Sequence, residues 1–199
     1  MKILHLISSP RNASSFSIKL GNAIVEKLQT AHPDSTVEVH NLAKTPFPHL
    51  EEVHLNSFFT PKENHTPEMS EAIKHSDQAI AELQNADVIV IGVPMYNFGI
   101  PSTLKAWIDH IARTGLTFRY TQEGPEGLVK NKKVYLAIST GGVYSEGMMK
   151  AYDFTESYLR AVLGFLGMTD LTAFRVEGIN MPGLKDDALE NAIQNIHLS

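Results

Sequence analysis

An α/β fold built on a doubly wound parallel sheet is the expectation, from three observations. Short apolar, β-branched runs alternate with segments of helical period along the whole chain. Three of those runs, the first, third and fourth, are apolar enough to be covered on both faces. No internal repeat, low-complexity tract or Pro/Ser linker splits the alternation. The chain has 199 residues and 22.0 kDa, so its folded surface should be roughly 9,300 Å² against roughly 32,000 Å² unfolded. A single domain over residues 1–199 accounts for that.

The elements follow in order. Residues 3–7 (ILHLI) read as a first strand and Ile18, Ile24 and Leu28 as the buried face of a first helix. Residues 37–39 make a second strand. Thr66 is placed to cap a helix whose first turn accepts Pro67, with Met69, Ile73, Ile80 and Leu83 turned inward as one continuous helix. Residues 88–93 (VIVIGV) are a third strand. Pro101 can open the next helix, where Leu104, Trp107, Ile108 and Ile111 fall at i, i+3, i+4 and i+7. Residues 134–138 and 171–176 are the fourth and fifth strands, separated by a helix with Tyr158, Val162 and Leu166 inward. A weaker helical pattern runs over residues 184–196. Five βα units imply right-handed crossovers and helices on both faces, which suits the flavodoxin-like strand order 2-1-3-4-5. Two long connections, residues 42–65 and 113–131, are of the kind that covers a site or an interface.

Composition removes several chemistries. The absence of cysteine excludes a disulfide framework, thiolate catalysis and Cys-ligated metal. Seventeen basic and 22 acidic residues give a net charge of −5 without a Lys/Arg stripe, which argues against nucleic acid. The run at residues 3–7 is too short for a signal-peptide core or a membrane span, so a cytoplasmic protein without a membrane partner is expected. Nine histidines occur without HExxH, and His49 with His54 or His32 with His40 lack a ligand spacing, so no metal site is expected. His5 is expected to be a satisfied core histidine. Glu51-Glu52 and Asp186-Asp187 read as solvated surface, and no GxSxG elbow follows a strand.

In an open α/β sheet the ligand sits outside the carboxyl ends of the strands. After the first strand comes SSPRNASSFS, where Ser9, Ser15 and Ser17 at a helix N-terminus can hold a phosphate. Alone, the same serines read equally well as a helix cap in a polar loop. Neither a Walker loop nor GxGxxG is present. After the third strand comes PMYNFGIP, in which Met95, Tyr96 and Phe98 offer an apolar wall and Asn97 an amide for a flat heterocycle. After the fourth, Ser139, Thr140, Gly141 and Gly142 provide glycines that let backbone approach a ligand. Convergence of the three loops describes a pocket for a planar ring with a phosphorylated tail.

These stretches, together with residues 115–120 (GLTFRY), GPEGL at residues 124–128 and LGFLGMTD at residues 163–170, resemble the FMN-dependent NADH-azoreductases, flavodoxin-like quinone and azo reductases, over nearly the whole chain. The resemblance implies one FMN per subunit, bound at its phosphate end by Ser9, Ser15, Phe16 and Ser17. It implies that Met95, Tyr96, Asn97 and Phe98 hold the ribityl chain and ring, with Ser139, Thr140, Gly141 and Gly142 on the other side. It implies a homodimer in which Phe118, Tyr120 and Phe165 wall the partner's flavin. Electrons would pass by a two-step relay from NADH or NADPH to quinones, with a role in removing electrophilic quinones, and to azo compounds, which are cleaved to amines. Tyr120 or Tyr144 could donate a proton; neither is assigned firmly. Some relatives carry Arg at the position of Thr140 and His at that of Tyr144, and differ over residues 56–65, positions that bear on substrate range. A flavodoxin-type electron carrier is the alternative.

Overall fold

The computed structural model describes residues 1–198. Five strands form the main sheet in the order β2-β1-β3-β6-β7. They are β1 (Lys2–Ile7), β2 (Thr36–Asn41), β3 (Val88–Pro94), β6 (Lys133–Ser139) and β7 (Asp170–Val176), all parallel. With the two strands of a separate hairpin left out, β4 (Phe118–Thr121) and β5 (Gly124–Gly127), this is the predicted order.

The three apolar runs became the central strands because they are the ones that helices cover on both sides. Alternation sorts each into two cores. Leu4, Leu6, Ile89, Ile91 and Leu136 face α4 (Lys74–Asn85), α5 (Ser102–Ile111) and α6 (Phe154–Phe165), where Leu83, Trp107 and Leu163 meet them. Ile3, Val88, Val90 and Tyr135 face α1 (Phe16–Ala31) and α7 (Ala188–Gln194), against Leu20, Ile24 and Ala192.

One expected helix changes, and both long connections contain structure. The helix foreseen from Pro67 onward breaks at Ile73, whose φ of −92° and ψ of 1° end α3 (Pro67–Ala72) and begin α4. The break lets α3 pack on α2 (Glu52–Phe59) while α4 packs on α5. Residues 42–65 are fastened to the helical layer. The His110 imidazole Nε2 lies 3.0 Å from the Pro48 carbonyl, and its ring packs edge-on against His54 and Phe58. In residues 113–131 the chain makes the β4–β5 hairpin, docked by main-chain contact. Val129 N–H donates to the Leu166 carbonyl at 2.9 Å, and a Cβ on Gly127 would sit 2.2 Å from the Gly167 nitrogen. Only glycine allows that approach.

His5 is the polar exception in the sheet. It is buried, but its Nε2 has no hydrogen-bond partner, so it is not the satisfied core histidine expected. The reason is steric: Nε2 points at Gly21 of α1, where a Cβ would lie 2.8 Å away. Burial therefore pushes the imidazole pKa down to about 4. The unfolded chain takes up this proton near pH 6.5, before the native chain does, so stability falls as pH drops from there toward 4. Urea unfolding should show about 2 kcal/mol lost to this residue between pH 7 and pH 5, so the loss over that range should be smaller by about this amount in His5→Phe; an equal slope in both chains would clear His5 of the effect.

Candidate active site

The register of the sheet gathers the loops after β1, β3 and β6. Ser8 follows β1, and its hydroxyl donates to the Gly92 carbonyl at 2.7 Å. Met95 N–H donates to the Ser139 carbonyl at 2.9 Å, and Thr140 N–H to that of Val176 at 2.9 Å. All three predicted serines of the first loop are buried, and two of them meet. Ser9, Ser15 and Ser17 are buried, and the Ser15 and Ser17 hydroxyls are 3.1 Å apart in the first turn of α1. Ser15 is also the cap, accepting from Ile18 N–H at 3.5 Å, while Ser9 Oγ accepts from Arg11 N–H at 3.2 Å. Phe16 is half-buried beside them.

The second loop turns more tightly than its composition suggests. Tyr96 and Gly99 exchange both main-chain hydrogen bonds, at 3.0 and 3.1 Å, around Asn97 and Phe98. Both central residues have positive φ, 49° for Asn97 and 69° for Phe98, the pattern of a type I′ turn. Asparagine tolerates this region; phenylalanine there is strained by an order of 1 kcal/mol or more. The strain presents the Phe98 ring outward, 6.3 Å from the Tyr144 ring and 5.5 Å from that of Tyr152.

In the third loop the small residues lie against the chain's own side chains as well. A Cβ on Gly141 would meet the Asn180 side chain at 2.8 Å, and one on Gly142 the Tyr144 ring at 3.4 Å. The glycines thus admit the chain's own side chains. Thr140 is buried, and its hydroxyl donates to the Gly142 carbonyl at 2.7 Å, so it shapes the turn. Ser139 is buried as well.

Phe118, Tyr120 and Phe165 form a second group. Their rings contact one another, Phe118 with Phe165 at 4.6 Å and with Tyr120 at 5.7 Å between centroids. Phe118 is buried beneath the other two, so the surface of this wall is Tyr120 and Phe165.

Sequence reasoning missed the polar frame behind Tyr144. Glu177 Oε1 accepts from the N–H groups of Tyr144 and Ser145 at 2.8 and 3.0 Å, and Oε2 from the Ser145 hydroxyl. Asp153 caps α6, accepting from Thr155 and Glu156 N–H at 2.9 and 3.1 Å. The Asp153-Phe154-Thr155-Glu156 pattern announces that cap; the Glu177 contact, across more than thirty residues, has no local signal. Another cleft, of about 260 Å³, lies between β2 and α4 and shares no residue with these loops. At its edge the His40 Nε2 pairs with Glu82 at 3.2 Å and Glu38 at 3.5 Å. Burial is the main cause that holds the Glu82 carboxyl above its ordinary range.

Comparison with known proteins adds the following. The family model for the flavodoxin-like fold matches residues 1–198. An FMN-dependent NADH:quinone oxidoreductase of Herminiimonas arsenicoxydans is 49% identical over 90% of this chain and 88% of its own. One of Aromatoleum aromaticum is 47% identical over 96% and 94%. The crystal structure of an azoreductase from Bacillus anthracis matches with a TM-score of 0.91 and 32% identity, over 98% of this chain and 95% of that one. An FMN-dependent NADH-azoreductase from the same species, in complex with FMN, gives 0.88 and 26% over the same shares.

The turn makes its own prediction. Phe98→Gly, which fits positive φ, should unfold at least about 1 kcal/mol later than Phe98→Ala, which does not. Thermal unfolding of the two chains measures this, and equal midpoints would mean that the turn is unstrained.

Proposed function

The chain belongs to the family with the flavodoxin-like fold that includes FMN-dependent NADH:quinone oxidoreductases and azoreductases, and from that premise we propose how its residues serve the reaction. It is an FMN-dependent oxidoreductase that passes electrons from NADH to quinones and azo compounds. Bound FMN supplies the redox chemistry, taking a hydride from the nicotinamide and returning two electrons to the acceptor.

The protein's part is binding, orientation and exclusion of water. Two buried hydroxyls at the N-terminus of a 16-residue helix, Ser15 and Ser17, with the buried Ser9 earlier in the same loop, suit a phosphate that no lysine or arginine need neutralise. Ser9, Ser15 and Ser17 would hold it, with Phe16 alongside. The observation that carries the reading is the strained Asn97–Phe98 turn, exposed at the carboxyl end of β3. Strain retained at such a place marks function. Met95, Tyr96 and Phe98 would flank the ring and Asn97 hydrogen-bond its polar edge, with the Ser139–Gly142 backbone on the far side. Donor and acceptor would use one slot in turn, a ping-pong scheme. The hydride relay requires no side-chain acid or base. The Tyr144 hydroxyl is a candidate to donate a proton to the reduced acceptor.

We further infer a homodimer in which Tyr120 and Phe165, supported by Phe118, close the partner's slot. The surface supports this: 10,688 Å² is exposed, where roughly 9,300 Å² is expected of a monomer of this mass. Met148 is 92% and Tyr120 71% exposed. No helix among the described residues is long and apolar enough to cross a membrane. A cytoplasmic location fits NADH as donor, and consumption of electrophilic quinones is the role we assign.

The test is an anaerobic absorbance experiment. FMN added to the purified protein should be bound, bleached promptly by NADH, and restored by benzoquinone. Absence of binding would overturn the reading, and slow bleaching would favour an electron carrier. Steady-state plots at several NADH concentrations should be parallel; intersecting lines would rule out the shared slot. Asn97→Gly keeps the positive φ and removes only the amide, so FMN should bind about fivefold more weakly, the worth of a hydrogen bond of about 1 kcal/mol. Unchanged affinity would remove Asn97 from the site.

A further inference from the structure

We propose that Arg175 is a positioning residue of this site: one guanidinium ties together the two segments that carry Phe98 and Tyr144 and so sets how those two rings stand against each other. The proposal rests on the reading above for what the site holds. Arg175 lies in the edge strand β7 with a side chain only 14% exposed. Its Nη2 donates to Asp153 and, at 2.5 Å, to Glu156; Nε donates to Glu156 at 3.1 Å, and Nη1 reaches Glu177 at 3.4 Å.

Two of these carboxylates lead to the two ring-bearing segments. Glu177 accepts the main-chain N–H groups of Tyr144 and Ser145, so it fixes the Tyr144 segment. Asp153 caps α6 and thereby orients Phe154, whose N–H donates to the Phe98 carbonyl at 3.2 Å. The strained turn is thus held from outside by a helix end that Arg175 secures. Arg160 also pairs with Glu156, at 2.7 Å, leaving three carboxylates around two guanidinium groups. Without Arg175 the half-buried Asp153 and Glu177 would repel each other unscreened, and the segments they hold would separate. Burial opposes the Arg175 charge, yet its bonds to Glu156 and Asp153 hold its pKa above the ordinary value. A lysine, with one point charge, cannot replace the planar fork on three acceptors.

Arg175→Met, Arg175→Lys and Glu177→Gln would be compared with wild type by FMN fluorescence titration, steady-state kinetics and amide hydrogen exchange. In Arg175→Met the FMN Kd and the quinone KM should each rise about tenfold or more, with kcat changed less, because loose positioning costs binding geometry first. Arg175→Lys should recover only part of this, and millimolar methylguanidinium should partly restore Arg175→Ala. Glu177→Gln should loosen the Tyr144 side alone. Exchange at the amides of Tyr144, Ser145 and Phe154 should quicken in Arg175→Met without flavin, a readout that does not need FMN to bind. If wild type takes up no FMN, the functional reading fails while the exchange still decides on Arg175. Unchanged exchange overturns the proposal, as do a Kd and KM within about twofold of wild type in a folded Arg175→Met chain. Should that chain not fold, unchanged exchange at Tyr144 and Ser145 in Glu177→Gln overturns it equally.

Discussion

The double burial of β1, β3 and β6 is the constraint on which the rest of the molecule depends. Strands covered on both faces must be apolar at every position, so they leave almost no room for polar chemistry inside the sheet. Their parallel register then brings the loops after all three strands to one edge. Reactive and ligand-binding groups are therefore confined to those loops and to the helix ends that meet them. His5 shows the cost of breaking the rule: an imidazole in a central strand, held neutral because nothing around it can host a charge.

Strain and restraint are combined at the site. The Asn97–Phe98 turn holds an aromatic residue in a backbone region it does not favour, and the surrounding hydrogen bonds hold it there. The Phe98 carbonyl, the Asp153 cap, the Arg175 guanidinium and the Glu177 carboxylate form one connected path to the Tyr144 backbone.

Much of the fold could be read directly from the sequence, since the deciding signals are local. The VIVIGV run identifies a central strand, and the Thr66-Pro67 pair identifies a helix start. The three candidate loops follow from the strands. What escaped reading depends on contacts distant in sequence or on backbone angles. The hairpin strands are four residues each, and the second, GPEG, holds two glycines and a proline, so no alternation marks the pair. The break at Ile73 comes from packing on two different helices. Nothing in the sequence around Phe98 announces a left-handed conformation, and the partners of Arg175 lie up to 22 residues away. The packing of Gly141 against Asn180 and of Gly142 against Tyr144 joins residues too far apart in sequence to be read from it.

The hairpin that carries Tyr120 rests on the body at its base, through Gly127 and Gly167, while its tip at residues 121–124 points away from both cores. Change at the tip is consequently decoupled from the sheet. Lengthening, shortening or recharging that turn leaves the packed interior as it is. Chains with this same sheet can diverge freely at those few exposed residues, whereas the glycine pair at the base has no such freedom.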